Sequence, residues 1–104
     1  MTAPTHPGEL LRQYLIPLDL SQSEVARRLH LPFNRLNELV TGKRGMTPDT
    51  ALRLADLFEP SAEFWLTAQA TYDLHVARAK RRARKDARIR RFAYAPTPSA
   101  EAGA

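Results

Sequence analysis

Two short amphipathic segments joined by a very short turn constrain the fold of this chain more than any other feature of its sequence. Ser21 and Glu24 form the pattern of a capping box at the start of a helix. That helix is expected to end near His30, because Pro32 disfavours helical geometry at the residue before it. A second helix is predicted immediately afterwards, over residues 33–40. Two helices joined so closely cannot lie parallel, so the sequence predicts a steep crossing, the helix-turn-helix arrangement.

A further helix is predicted upstream of this pair. Pro7 suits the first helical position, Glu9 lies in the first turn, and His6 is expected to cap the helix. Pro17 is expected to stop it. The residues predicted to face the core from these three helices are Leu10, Leu11, Tyr14, Leu15, Val25, Ala26, Leu29, Leu36, Leu39 and Val40.

Two more helices are predicted downstream. Gly42 is expected to end the preceding helix, and Thr47, followed by a proline and an acid, is a strong start signal. Pro60 breaks this fourth helix, and Ser61 opens a fifth that is expected to continue into an Arg-rich segment. The fourth helix is predicted to bury Ala51, Leu54, Ala55 and Phe58, and the fifth carries Trp65, Ala68, Tyr72 and Val76 along one side. The aromatic residues Phe64, Trp65 and Tyr72 are expected to pack in the core or against a second copy of the chain.

The chain is therefore predicted to be all-α. Its 104 residues suffice for one domain and not for two. We expect a flexible N-terminus over residues 1–5, a five-helix domain over 6–77, a basic helical extension over 78–92 and a disordered tail over 93–104. The sequence shows no secretory signal and no apolar run long enough to cross a membrane, so a cytoplasmic location is expected.

Charge is distributed unevenly along the chain. The formal net charge is +5, but residues 78–91 hold nine Lys or Arg against one Asp, whereas residues 1–77 hold seven against nine acids. Within the first part, residues 27–44 are basic and residues 45–77 are acidic. A basic stretch followed by an acidic one suggests two different partners.

The predicted second helix of the pair carries the candidate base-contacting residues. With its apolar side chains facing the core, its other side presents Asn34, flanked by Arg35 and Asn37, with Phe33 at the N-terminal tip. Asn can pair bidentately with adenine and Arg with guanine, and Phe can pack on a thymine methyl group. Phe33 has an alternative role, which is to staple the helix entry against the core.

Candidate phosphate contacts surround this helix. Gln22 opens the preceding helix, where backbone N–H groups favour an anion. Thr41, Lys43 and Arg44 lie at the end of the candidate recognition helix or just beyond it. Glu38 does not fit this surface easily, because a carboxylate repels phosphates; it either reads a cytosine amino group or lies clear of the DNA.

No catalytic or metal-binding pattern is present. Cysteine is absent, which excludes disulfides, thiolate metal sites and cysteine nucleophiles. The histidines, His6, His30 and His75, are widely separated and lack the spacing of a zinc site. We therefore expect neither an enzyme nor a bound cofactor.

The sequence resembles the HigA-type antitoxins, a branch of the Xre-like helix-turn-helix proteins. Four segments carry the resemblance: HPGELL (6–11), LSQSEVARRL (20–29), RLNELVTGKRGMTPDTALRLADLF (35–58) and SAEFWLTAQATYDL (61–74). It implies a five-helix, phage-repressor-like fold. It also implies a homodimer that binds a palindromic operator in its own promoter and neutralises a basic, RelE-like (HigB-type) mRNA-cleaving toxin.

Two positions depart from the family pattern. His30 stands where the turn between the paired helices usually has glycine, and a left-handed backbone there would strain a histidine. Phe33, after a proline, replaces the polar residues that usually open the recognition helix, so an unusual base preference is expected.

Several alternatives remain open on the sequence. The chain can be a stand-alone Xre-like repressor with no toxin partner, or an interaction module whose main role is to sequester a basic toxin. The basic segment 78–91 can be a solvated helix extension, a phosphate-binding arm, or an arm that binds toxin or RNA.

Overall fold

The computed structural model describes residues 3–85 and 88–93, and the helices in that part of the chain number five. They are α1 (Pro7–Leu18), α2 (Gln22–Leu29), α3 (Phe33–Val40), α4 (Pro48–Leu57) and α5 (Ala62–Arg84). The predicted all-α, helix-turn-helix class is confirmed. The predicted flexible N-terminus falls partly, and the predicted tail almost wholly, outside the described residues.

Local side-chain caps explain where most of these helices begin. In four of the five, a side chain at the N-cap accepts a hydrogen bond from a backbone N–H of the first turn, as the sequence predicts. The acceptor and donor atoms are His6 Nδ1 with Gly8 N (2.9 Å), Ser21 Oγ with Glu24 N (3.1 Å), Thr47 Oγ1 with Thr50 N (3.3 Å), and Ser61 Oγ with Phe64 N (3.1 Å).

Two local predictions are wrong. Helix α1 does not stop at Pro17 but ends one residue later at Leu18, where Asp19 adopts a left-handed backbone (φ 52°) and its N–H bonds to the Ile16 carbonyl. The capping box at α2 is only half formed, because the Glu24 carboxylate accepts hydrogen bonds from Arg27 and Arg28. At α1 the helix ends at the left-handed Asp19 and not at the proline. At α2 two arginines of the same helix take the carboxylate that the capping box needs.

The core is built from one side of every helix, and Trp65 of α5 lies fully buried within it. Tyr14 and Phe64 pack edge-on against the Trp65 ring, at centroid distances of 5.8 and 5.2 Å. Phe64 itself is 42% exposed, so it is not a core residue. The buried hydrophobic residues are Leu11, Leu15, Val25, Ala26, Leu29, Leu31, Leu36, Leu39, Val40, Met46, Ala51, Leu54 and Trp65.

The turn between α2 and α3 sets the angle at which they cross. His30 has a left-handed backbone (φ 57°), and the Leu31 N–H returns to the Ala26 carbonyl at 2.9 Å, so that the Leu31 side chain is buried. Arg53 of α4 donates to the carbonyls of Leu29 (2.8 Å) and His30 (3.2 Å). The end of α2 is therefore held both by its own turn and by a neighbouring helix.

Helix α1 packs against α3 without room for a side chain at Gly8. A Cβ at this position would overlap the Leu39 carbonyl oxygen and lie 2.8 Å from the carbonyl carbon. Gly8 thus lets the start of α1 touch the backbone of α3 directly. This contact fixes the side of α3 that is buried, and so the side that is exposed.

Helix α5 is a single helix that continues beyond residue 77 to Arg84. It passes the loop between α3 and α4, where the Gln69 side chain accepts a hydrogen bond from the Met46 N–H at 2.6 Å. The predicted domain thus shares one helix with the first part of the predicted extension. The expectation of a helix over 78–92 is wrong beyond Arg84, because Lys85 has a left-handed backbone (φ 54°) and the described residues 88–92 are not helical.

Candidate nucleic-acid interface

Helix α3 presents one buried and one exposed side, as the sequence predicts. Leu36, Leu39 and Val40 are buried against the other helices. On the opposite side Asn34 is exposed, and Phe33 at the N-terminal tip keeps 47% of its surface accessible. Phe33 is exposed enough for a groove contact and about half buried, so both roles predicted for it remain predictions.

Arg35 and Asn37 flank the exposed side and are each half-buried. The Nε atom of Arg35 is buried and has no hydrogen-bond partner among the described residues. A buried donor without a partner costs about 1–3 kcal/mol. The Arg35 Nε donor is thus unsatisfied in this conformation, and a base contact through it requires the side chain to turn outward.

Pro32 precedes α3 and offers no side-chain cap, so the N–H groups of Phe33 and Asn34 have no side-chain acceptor. The positive end of the α3 dipole is therefore open at the tip that carries the candidate base contacts. Negative groups are favoured at such a helix end.

Gln22 occupies the first turn of α2, where the N–H groups of another helix end are exposed. Its Oε1 atom is buried and has no hydrogen-bond partner. Exchange of the two amide atoms would place the donor Nε2 in this buried position, away from a phosphate. The phosphate contact predicted for Gln22 therefore remains a prediction.

Thr41 is the C-cap of α3, and its hydroxyl donates to the Asn37 carbonyl at 2.8 Å. A hydroxyl has a single proton to donate. A phosphate contact by Thr41 therefore has to compete with this bond, and the predicted contact remains a prediction.

Lys43 and Arg44 both lie on the exposed loop that follows α3, but their surroundings differ. Lys43 forms no ion pair with any described residue. The Arg44 guanidinium lies 2.8 Å from a carboxylate oxygen of Glu38, and its Nε donates to the same oxygen. This pair shows how Glu38 is accommodated on a basic surface: its charge is balanced by the residue predicted to bind phosphate.

The two arginines at the end of α2 also form ion pairs, both with Glu24. Hydrogen bonds from Arg27, the larger effect, and from Arg28 hold the pKa of the Glu24 carboxyl below its ordinary value. The hydrogen bond between Arg27 and Glu24 also raises the pKa of the Arg27 guanidinium. The basic character of residues 27–44 is thus partly balanced inside the chain. Lys43 is the exposed cation of this stretch that stays unpaired among the described residues.

Sequence reasoning missed Arg53, which positions the interface without belonging to it. Arg53 pairs with Asp49 at 3.0 Å and donates to the last carbonyls of α2. The pairing with Asp49 is visible in the sequence as an acid four residues before a base on one helix. The bond to α2 has no sequence signal, because 24 residues separate its partners.

Other kinds of site are not visible in residues 3–85 and 88–93. These residues contain no cluster of three or more acidic or histidine side chains that could hold a metal ion. They also contain no helix that is long and apolar enough to cross a bilayer.

A short helix with an exposed polar side, held across a second helix by a tight turn, defines the class of helix-turn-helix DNA-binding proteins. Residues 11–65 match the helix-turn-helix family. The chain belongs to this family.

Known proteins with similar sequences and structures indicate which members of this family the chain resembles. It is 49% identical over 73 residues to "Virulence-associated protein I" of Dichelobacter nodosus, a match that covers 69% of this chain and 68% of the relative. The solved structure of an addiction module antidote protein of a HigA family from Coxiella burnetii is 39% identical, with a TM-score of 0.76 over 86% of this chain and 100% of that one.

A second solved structure contains DNA. The Pseudomonas aeruginosa antitoxin HigA with the higBA promoter is 36% identical to this chain, with a TM-score of 0.77 over 84% of this chain and 96% of that one. The fold described above is therefore shared with antitoxins, and the resemblance seen in the sequence is confirmed.

Proposed function

We propose that this chain is the antitoxin of a toxin–antitoxin pair, that it acts by binding and not by catalysis, and that it represses its own operon. One observation carries the proposal. The exposed side of α3, with Asn34 at its centre, lies on a fold that matches an antitoxin solved with its own promoter over 84% of this chain. Asn34, Arg35 and Asn37 would read base edges, with Phe33 against a thymine methyl group.

The proposal includes a homodimer that acts in the cytoplasm on a palindromic operator. A single α3 reaches only a few base pairs, and two copies can read half-sites one helical turn apart, about 34–36 Å. Phosphate contacts by Gln22, Lys43 and Arg44 would fix the register of each copy without adding sequence information.

The proposed toxin partner is a basic, RelE-like ribonuclease. Exposed acids lie on α4, in the loop after it and at the start of α5 (Asp56, Glu59 and Glu63). The exposed side chains of Leu52 and Phe64 belong to the same two helices. A surface that combines negative charge with apolar side chains suits a basic protein. It lies on helices other than α2 and α3, so DNA and toxin need not compete for the same residues.

A binding assay on the DNA upstream of the coding sequence tests the DNA half of this proposal. We expect the chain to bind this duplex at least tenfold more tightly than a scrambled duplex of the same composition, because base contacts add to the phosphate contacts. Equal affinity for both duplexes would refute operator recognition.

Co-expression with the neighbouring open reading frame tests the toxin half. We expect a small basic protein that arrests growth alone and is harmless alongside this chain. Operator binding without such a neighbour would instead support a stand-alone repressor. Toxin neutralisation without operator preference would support a module that only sequesters the toxin.

A further inference from the structure

The C-terminal end of α5 concentrates positive charge that the helix-turn-helix site does not use. Residues 78–85, here named the basic end of α5, comprise six Lys or Arg and two alanines. The side chains of the six cations are exposed, and α5 contains no acid beyond Asp73. Cations in the last helical turn interact favourably with the helix dipole. The basic end extends over two turns, which is more than this interaction explains.

The cations of the basic end differ from those of the domain in their pairing. In residues 3–77, five of the seven Lys or Arg side chains form ion pairs with acids. Arg78, Lys80, Arg81 and Arg82 form no ion pair with any described residue. Asp73, the nearest acid on the helix, accepts a hydrogen bond from Gln69. These four cations therefore carry charge that no ion pair with a described residue balances.

Helix α5 connects the basic end to the DNA-binding side of the domain. The loop that carries Lys43 is anchored on α5, since the Met46 N–H bonds to Gln69 at 2.6 Å. At about 1.5 Å per residue, Arg78 lies about 14 Å and Lys85 about 24 Å beyond Gln69 along the helix. Phosphates of one strand repeat about every 3.4 Å along a duplex, so a helix of this length spans roughly four to seven base pairs where it runs along the duplex.

We propose that the basic end of α5 binds the phosphates of duplex DNA beside the base pairs that α3 contacts. Residues 1–77 carry more acids than bases, and only residues 78–91 make the chain positive. The basic end thus supplies the long-range attraction that a negatively charged domain lacks. The inference rests on the proposed function, because it takes the duplex to be the one that α3 reads.

The chemistry of the basic end favours a duplex over other polyanions. Between its cations lie only Ala79 and Ala83. Single-stranded nucleic acid is held by aromatic side chains on which bases stack, and this segment has none. Protein interfaces are anchored mainly by Trp, Tyr and Arg packed in desolvated pockets, and of these the basic end offers arginine alone. Arginine and lysine on a helix are sufficient for phosphates.

The salt dependence of DNA affinity tests this inference. The variant Arg78→Gln/Lys80→Gln/Arg81→Gln/Arg82→Gln removes four charges and keeps residues that favour helix. Each lost phosphate contact should reduce the slope of log affinity against log salt by about 0.9, so we expect a reduction of up to about 3.6 per chain. The affinity ratio between operator and scrambled duplex should stay the same, because phosphates carry no sequence information.

The control variant keeps the charge at the same positions: Arg78→Lys/Lys80→Arg/Arg81→Lys/Arg82→Lys should retain the original slope. An unchanged slope in the glutamine variant, with helix content preserved by circular dichroism, would overturn the inference. So would a loss of affinity confined to a single-stranded RNA probe or to the toxin. If the original chain shows no operator preference but the slopes differ as expected, the proposed function fails and the phosphate contact stands.

Discussion

The Arg44 guanidinium lies 2.8 Å from the Glu38 carboxylate on the exposed surface next to α3. Both side chains are more than 40% exposed, so the pair contributes at most about 1 kcal/mol to stability. A phosphate competing for Arg44 therefore meets little resistance from this pair. Until a phosphate binds, the Glu38 carboxylate balances the charge of Arg44, and it also repels DNA.

Replacing Glu38 tests this relationship. Glu38→Gln should raise the affinity for duplex DNA of any sequence by up to about fivefold, because the phosphate contact of Arg44 no longer has to displace an ion pair worth at most about 1 kcal/mol. The matched control is Glu59→Gln in the exposed loop between α4 and α5, which removes the same charge without releasing a paired arginine and should leave DNA affinity unchanged. Salt titrations on a scrambled duplex measure both variants. Equal effects at the two positions would show that the general loss of negative charge matters, and not the release of Arg44.

A second prediction separates base reading from phosphate binding. Asn34→Ala should cost about 1–3 kcal/mol on the operator and leave affinity for scrambled DNA unchanged, because Asn34 is exposed on the outer side of α3. Lys43→Gln should weaken binding to both duplexes equally and reduce the salt slope by about 0.9 per chain. Competition gel shifts with the two duplexes measure both effects. A uniform loss with Asn34→Ala would place that residue among the phosphate contacts.

The contact between α1 and α3 gives a stability prediction. Gly8→Ala should destabilise the domain by about 1–3 kcal/mol, because the new Cβ meets the Leu39 and Val40 backbone, which cannot move aside as a flexible side chain can. At Gly42 (φ +81°) a Cβ meets no atom within 4 Å, so Gly42→Ala should cost only about 1 kcal/mol of backbone strain. Urea unfolding compares the two variants. Equal costs would mean that α1 and α3 are less closely packed than described.

The left-handed turn predicts a stabilising substitution. His30→Gly should raise the free energy of unfolding by roughly 0.5–1 kcal/mol, because relief of a left-handed strain of about 1–2 kcal/mol exceeds the entropy cost of glycine. His75 lies within α5, so His75→Gly should lower the free energy of unfolding by about 0.3–0.5 kcal/mol through helix propensity. Thermal unfolding measures whether the two substitutions change the free energy of unfolding in opposite directions. Destabilisation by His30→Gly would mean that the His30 side chain contributes more than its backbone costs.

The Glu24 carboxyl gives a prediction for pH. Its pKa is lower in the folded chain than the ordinary value of 4.5, because Arg27 and Arg28 donate hydrogen bonds to the charged form. Its stabilising contribution is therefore present above about pH 4.5 and is lost as the pH falls through the folded-state pKa. Urea unfolding between about pH 3 and 6 should show the difference between the original chain and Glu24→Gln shrinking with falling pH. A constant difference would contradict this account.

The sequence by itself determined where most helices begin. Caps at Ser21, Thr47 and Ser61 are hydrogen bonds within a single turn, so they depend only on neighbouring residues. The bounds of α3 follow from Pro32 before it and from its apolar spacing, and the structure reproduces them. The outward positions of Asn34 and Phe33 follow from the same spacing.

The tertiary structure decided what depends on residues far apart in the chain. Arg53 holds the end of α2 across 24 residues, Gln69 anchors the Met46 loop across 23, and Gly8 places α1 on α3. The pairing of Glu38 with Arg44 spans a loop whose path no local signal specifies. Hydrogen bonds within one turn are encoded in adjacent side chains, whereas bonds between helices form only when packing brings their partners together.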